Sequence, residues 1–129
     1  PPMYKILIVE DEPEIAKVLR EFLIRTGFEA FTVLGGEKAI EILNSGAKID
    51  FMILDMKMPK VGGIEVLSEM RNKNLNHPVI ILTGSIDEEK YAKDIKNVGH
   101  PSVEIISKPV DLFELVGIID NKLDQGRSL

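Results

Sequence analysis

Five short apolar runs punctuate the chain, and between them apolar residues recur at the spacing of a helix. The runs are Ile6–Val9, Glu29–Val33, Phe51–Leu54, Val79–Leu82 and Val103–Ile106. Apolar runs this short predict strands of a parallel sheet, the most continuous of them buried on both faces. Pro13–Arg25 places Ile15, Val18, Leu19, Phe22 and Leu23 on one predicted helical face, and Gly27 follows where a left-handed residue would close the helix. Gly36–Asn44 repeats the pattern with Ala39, Ile40 and Leu43, and Ile64–Arg71 with Val66, Leu67 and Met70. Asp111 stands where it can cap a last helix with the stripe Leu112, Leu115, Val116, Ile119 and Leu123. Between the last two runs, Asp87–Val98 offers only Tyr91, Ala92, Ile95 and Val98 among many charges. A face that thin predicts a helix loosely attached to the core, suited to an element that moves.

Strands alternating with helices through short loops imply right-handed crossovers and a parallel sheet covered on both faces. The expected architecture is one doubly wound (βα)5 domain of the α/β class, flavodoxin-like. Glu29–Val33 is the least apolar run and belongs at an edge. That favours the strand order 2-1-3-4-5, with its switch point between the first and third strands. Glu10-Asp11-Glu12 and Asp55 follow or end those two strands, so the topology brings three or four carboxylates to one crevice.

Composition narrows the picture. A chain of 129 residues with 44% hydrophobic and 29% charged residues fits one globular domain. A net charge of −5 argues against nucleic-acid binding within this chain, since phosphate contacts need clustered Lys and Arg. No window approaches the roughly 20 apolar residues of a membrane span. Ile6–Val9 is too short for a signal-peptide core. The absence of cysteine excludes disulfides, thiolate metal sites and cysteine nucleophiles, and fits a cytoplasmic location. Pro1-Pro2 reads as an added remnant ahead of Met3, the domain as residues 3–123, and 124–129 as a polar tail or the start of a linker. His77 and His100 each precede a proline and read as extended loop positions rather than ligands. Met52, Met56 and Met58 read as packing.

Clustered carboxylates repel: two unit charges about 4 Å apart cost on the order of 4 kcal/mol at an effective dielectric near 20. A divalent cation makes such a cluster tolerable, and a few oxygen ligands open to water suit Mg²⁺ (or Mn²⁺) better than a closed calcium cage. Two more strand ends face the same crevice. Thr83-Gly84 supplies a hydroxyl and a close-approaching backbone N–H, and Lys108 supplies an amine, with Pro109 after it admitting a cis peptide. Cation, carboxylate, hydroxyl, N–H and ammonium together suit phosphoryl chemistry, with Asp55 as the nucleophile.

The segments Lys5–Glu12, Asp55-Met56-Lys57-Met58-Pro59 with Gly63 beyond, Thr83 and Lys108-Pro109 resemble the receiver domain of two-component response regulators, of the chemotaxis-regulator type. The resemblance implies that Asp55 accepts a phosphoryl group from a phosphohistidine on a sensor histidine kinase or a histidine phosphotransfer protein. It implies Mg²⁺ held directly by Asp11 and Asp55 and the Lys57 carbonyl, with Glu10 acting through water. It assigns the phosphoryl oxygens to Thr83, Lys108 and the backbone N–H groups of Gly84 and Met56. It further implies slow self-catalysed phosphorylation and dephosphorylation, with Lys57 and Ser85 modulating the phosphoryl lifetime. The output surface would be the face formed by Asp87–Val98, Val103–Ile106 and Asp111–Leu123, contacting an output domain or a downstream protein, and a phosphorylation-dependent dimer is a further family property. Two positions depart from the pattern. Glu10 stands where the family more often has Asp, and Ile105 stands where an aromatic switch residue usually partners the threonine.

Two other readings differ in class. A phosphohydrolase working through an aspartyl-phosphate would normally carry a second Asp two residues after the nucleophile, where this chain has Lys57. A pseudo-receiver acting by protein contact, or a flavin-binding module, would not need Asp55, Thr83 and Lys108 together, and the paired acids would repel a flavin phosphate.

Overall fold

The strand order found is the expected one. The computed structural model describes residues 3–84 and 88–127. Its strands Lys5–Val9 (β1), Glu29–Val33 (β2), Phe51–Asp55 (β3), Val79–Thr83 (β4) and Val103–Ser107 (β5) form one parallel sheet in the order β2-β1-β3-β4-β5. The helices are Pro13–Arg25 (α1), Gly36–Asn44 (α2), Gly63–Asn72 (α3), Glu88–Val98 (α4) and Leu112–Arg127 (α5).

Period-two alternation divides each central strand between two cores. Leu7, Val9, Met52, Leu54, Val79 and Ile81 pack with Ala39, Leu43, Val66, Leu67, Met70 and Ile95, so α2, α3 and α4 cover one face. Ile6, Ile8, Phe51, Ile53, Ile80 and Leu82 pack with Leu19, Leu23, Leu115 and Ile119, so α1 and α5 cover the other. Each such side chain taken out of water contributes about 1.5–3 kcal/mol. This two-sided burial explains why β1, β3 and β4 read as unbroken apolar runs.

Local chemistry closes the helices where expected. The Phe28 N–H donates to Leu23 O and the Gly27 N–H to Ile24 O, both at 3.1 Å, with Gly27 at φ 101°, a Schellman closure of α1. Asp111 Oδ1 accepts the N–H groups of Phe113 (3.0 Å) and Glu114 (3.2 Å), capping α5. The Lys108–Pro109 peptide is cis.

Two expectations need correction, and a third lies partly outside the described residues. Val18, assigned to the buried stripe of α1, is 54% exposed, while Ala16 is buried with Leu19 and Leu23. Ala16 and Val18 are two residues, or about 200° of helical rotation, apart, and the helix sets its small residue against the sheet. The helix expected from Asp87 is described from Glu88, and Asp87 lies outside the described residues. The polar stretch after Leu123 continues α5 to Arg127 instead of leaving the helix. Once a helix is nucleated, each added residue gains a backbone hydrogen bond without needing an apolar stripe.

Close backbone packing fixes the loop after β3. A Cβ on Gly36 would clash with Val61 O and one on Gly63 would lie 2.9 Å from Asp55 O, whereas among the described residues nothing lies within 4 Å of one on Gly117 in the middle of α5. Gly36→Ala and Gly63→Ala should each lower stability by about 1–3 kcal/mol through overpacking. Gly117→Ala should raise it by about 0.5–1 kcal/mol through helix propensity. Urea unfolding of the three variants checks this; indistinguishable midpoints would mean that the loop has slack.

Candidate functional site

Strand register assembles the site. Val9 pairs with Leu54, so the next residues on β1 and β3, Glu10 and Asp55, come side by side. The Glu10 N–H donates to Val33 O at 3.1 Å, carrying the sheet ladder one residue past β1. Thr83 pairs with Ser107, and the Lys108 N–H donates to Thr83 O at 2.8 Å, which fixes the base of the lysine. The alternation that points Ile6, Ile8, Phe51, Ile53 and Ile106 toward α1 and α5 continues onto Glu10, Asp55 and Lys108. Thr83 has the opposite parity, that of Val79 and Ile81, which face α2–α4.

The result is a compact charge cluster. Lys108 Nζ lies 3.2 Å from Asp55 Oδ1 and 3.6 Å from Glu10 Oε2. Carboxylate oxygens of Glu10, Asp11 and Asp55 all lie within 4.8 Å of one another. Glu12, the fourth acid, is exposed, and its N–H donates to Glu10 Oε1 at 3.3 Å. Glu10 and Asp55 are buried, 0% and 3% exposed, and so is Thr83, whose hydroxyl donates to Gly84 O at 3.3 Å.

Electrostatics follow from that burial. Desolvation first, then the Asp55 charge, pushes the Glu10 carboxyl up to about 7, against the pull of Lys108. Burial works against the Lys108 ammonium, but Asp55 and Glu10 outweigh it and hold its pKa above the ordinary lysine value. One lysine does not satisfy the acids: Glu10 Oε2 is buried without a hydrogen-bond partner. An orphaned oxygen in a set of three carboxylates is the donor chemistry of a hard divalent cation, so these residues fit Mg²⁺.

Not every candidate is placed as expected. The Met56 N–H, assigned to a phosphoryl oxygen, instead donates to Leu82 O at 3.0 Å, because the ladder between β3 and β4 runs one residue beyond Asp55. Lys57 and Gly84 are exposed beside the crevice, and Ser85 lies outside the described residues. Ile105 is half-buried in the core on the α2–α4 side, as are Tyr91 and Val98. His77 and His100 precede β4 and β5, at the opposite edge of the sheet, and His100 Nδ1 accepts the Ser102 N–H at 3.1 Å. What the motifs did not reveal is Tyr91, which lines a pocket formed with the loop after Asp55. The available signal was its spacing of four residues from Ile95 on the thin face of α4.

Fold and site together define a receiver: a doubly wound sheet presenting a buried aspartate, flanking acids and a lysine at its carboxyl edge. The sequence pattern of the response regulator receiver domain matches residues 6–120, and the chain belongs to that family. It is 32% identical over 123 residues to the response regulator SaeR of Staphylococcus aureus (strain USA300), covering 94% of this chain and 51% of that protein. The chain thus spans about half the length of the curated relatives it matches. Among solved structures, a response regulator receiver domain protein from Clostridium thermocellum is 30% identical, with a TM-score of 0.86 over 97% of this chain and 98% of that one. The chemotaxis protein CheY4 of Vibrio cholerae is 26% identical, with a TM-score of 0.82 over 93% and 98%. Among the described residues, no helix is long and apolar enough to cross a membrane.

The raised Glu10 pKa predicts a pH dependence with a definite sign. In the metal-free chain the folded state holds a proton near pH 7 that an unfolded glutamate, with its ordinary pKa of 4.5, releases. Stability therefore falls as pH rises from about 4.5 to 7, by a Glu10 contribution on the order of 1–3 kcal/mol. Glu10→Gln removes that loss, so the variant should gain on the wild type at pH 8 and little at pH 4.5. Melts in EDTA check this; a gap independent of pH would show that Glu10 is not buried beside Asp55.

Proposed function

We propose that Asp55 is the phosphoacceptor of a phosphorylation-dependent switch. The observation that carries the reading is the cluster itself, a buried Asp55 with Lys108 Nζ at 3.2 Å and two acids within cation-sharing distance. In the reaction, Asp55 Oδ forms a bond to phosphorus as the bond from phosphorus to the donor imidazole breaks, and that electron pair leaves with the imidazole. Lys108 holds the attacking carboxylate and receives a phosphoryl oxygen. Asp11, Asp55 and the Lys57 carbonyl would hold Mg²⁺, with Glu10 acting through water. When bound, the ion neutralises charge on the transferring oxygens. The Thr83 hydroxyl, which donates a long bond to Gly84 O, would turn to the new group, and the exposed Gly84 would lend its N–H.

Donor and output surfaces follow from this placement. A histidine kinase or phosphotransfer protein must approach the carboxyl edge of the sheet. There an apolar groove of about 650 Å³, lined by Ile15, Val18, Leu19, Pro109, Val110 and Leu112, opens beside Lys108. The exposed Val18 finds a use in that groove. Output would pass through α4, β5 and α5, where Lys122 pairs with Glu104 at 3.4 Å, to an output domain or a second copy. The cytoplasm suits such a partner set. Slow self-dephosphorylation fits the exposed Lys57, which leaves water access and supplies no acid for a leaving group, so a phosphohydrolase is not favoured.

Intact mass after incubation with acetyl phosphate provides the test. One phosphoryl adduct should form with Mg²⁺, and none in EDTA or in Asp55→Asn. An adduct that survives in Asp55→Asn would move the acceptor elsewhere. Lys108→Ala should still bind Mg²⁺ but lose at least about tenfold in adduct rate, the loss of one charge-assisted contact in the transition state. Stopped reactions read by mass would show it; an unchanged rate would remove Lys108 from the chemistry.

A further inference from the structure

The least anchored helix has one side chain reaching toward the reactive loop. Among the described residues of α4, Ile95 is the one fully buried, and Tyr91, Ala92 and Val98 are half-buried. Tyr91 packs against the core on the α2–α4 side. It also lines a pocket of about 190 Å³ whose other walls include Met56, Lys57, Met58, Gly62 and Ile64. Met56–Met58 directly follow the phosphoacceptor. On the outer side, Lys90 Nζ lies 5.8 Å from the ring centroid.

That loop has no slack. The Met56 N–H donates to Leu82 O at 3.0 Å and the Gly63 N–H to Met56 O at 3.1 Å. The Glu65 carboxylate accepts the Gly62 N–H, tying the loop to the first turn of α3. A Cβ on Gly63 would lie 2.9 Å from Met56 Cα. A closely packed segment passes a displacement on instead of absorbing it. The side chains bordering this loop from α4 therefore feel any shift at Asp55, and Tyr91 is the one in the pocket. Ile105 packs in the same core but carries no ring to rotate.

We propose that Tyr91 is a positioning residue that couples the loop after Asp55 to α4, its ring reseating in the Met56–Ile64 pocket when the site is phosphorylated. The inference rests on the phosphoacceptor reading above and adds the residue that conveys its state. Ring packing carries the coupling, so the hydroxyl is dispensable.

The chain has two tyrosines, Tyr4 and Tyr91, and no tryptophan, so Tyr4→Phe leaves Tyr91 as the sole emitter. In that background, acetyl phosphate with Mg²⁺ should change the tyrosine emission in step with the phosphoryl adduct seen by intact mass. Backbone amide shifts of α4 on phosphorylation should persist in Tyr91→Phe and be lost in Tyr91→Ala, with the adduct forming in both. Adduct formation without an emission change would overturn the inference, as would α4 shifts that survive in Tyr91→Ala. Should Tyr91→Ala melt α4 outright, the emission of the intact ring decides. No adduct in the parent chain would instead overturn the phosphoacceptor reading, and this inference with it.

Discussion

Everything at the carboxyl edge of the sheet depends on one imbalance: two buried carboxylates, Glu10 and Asp55, share a single lysine. Coulomb repulsion between two such groups is softened by water at a protein surface, but here neither is more than 3% exposed. Lys108 reaches both, at 3.6 and 3.2 Å, and still leaves Glu10 Oε2 without a hydrogen bond. The protein holds this arrangement because its sheet is over-determined on both faces by packed apolar layers. The stability of the cores tolerates an acid cluster that a bound divalent cation would relieve. Burial works in both directions: the same desolvation that raises the Glu10 pKa would strengthen the attraction to an incoming cation.

Strand parity then separates chemistry from output. Glu10, Asp55 and Lys108 share the side of the sheet covered by α1 and α5. Thr83 and Ile105 share the side covered by α2, α3 and α4, where Tyr91 also packs. On the proposed reading, a group added to Asp55 would meet Thr83 across the edge of the sheet, where β3 and β4 are neighbours. The carboxyl edge is where the two faces meet closest to Asp55. The tight loop from Met56 to Gly63 and the end of β4 are the two routes around it.

The architecture was legible because parallel strands buried on both faces leave unbroken apolar runs, and because turn chemistry is local. Gly27 and Asp111 act within a few residues of themselves, so their sequence context suffices. The acid cluster was legible from topology, since a strand order that puts β1 next to β3 sets Glu10 beside Asp55. Other features depend on tertiary distances that spacing does not encode. Val18 satisfies the helical period yet lies outside because α1 sets Ala16 against the sheet. The Met56 N–H is engaged because the β3–β4 ladder extends past Asp55, a matter of register rather than residue type. Tyr91 read as one member of a thin apolar face, and its place beside the reactive loop appears only once α4 is set against α3.

That thin face has a thermodynamic meaning. A phosphoryl group can shift a two-state element only by the difference in its interaction with the two states, and a shift from 1:99 to 99:1 needs about 5.5 kcal/mol. One group with roughly two negative charges, contacting Thr83, Lys108 and a backbone N–H as proposed, would supply a few charge-assisted bonds of about 1.5–3 kcal/mol each. A helix held like α3, with Val66, Leu67 and Met70 wholly buried, would resist that force, since moving it would expose several core side chains at once. In α4, by contrast, Ile95 is the one fully buried side chain among the described residues. A gap between two positions of such a helix would fall within reach of a single phosphoryl group. On the proposed reading, the weakness of α4 is the property that would let chemistry at Asp55 be felt at the surface.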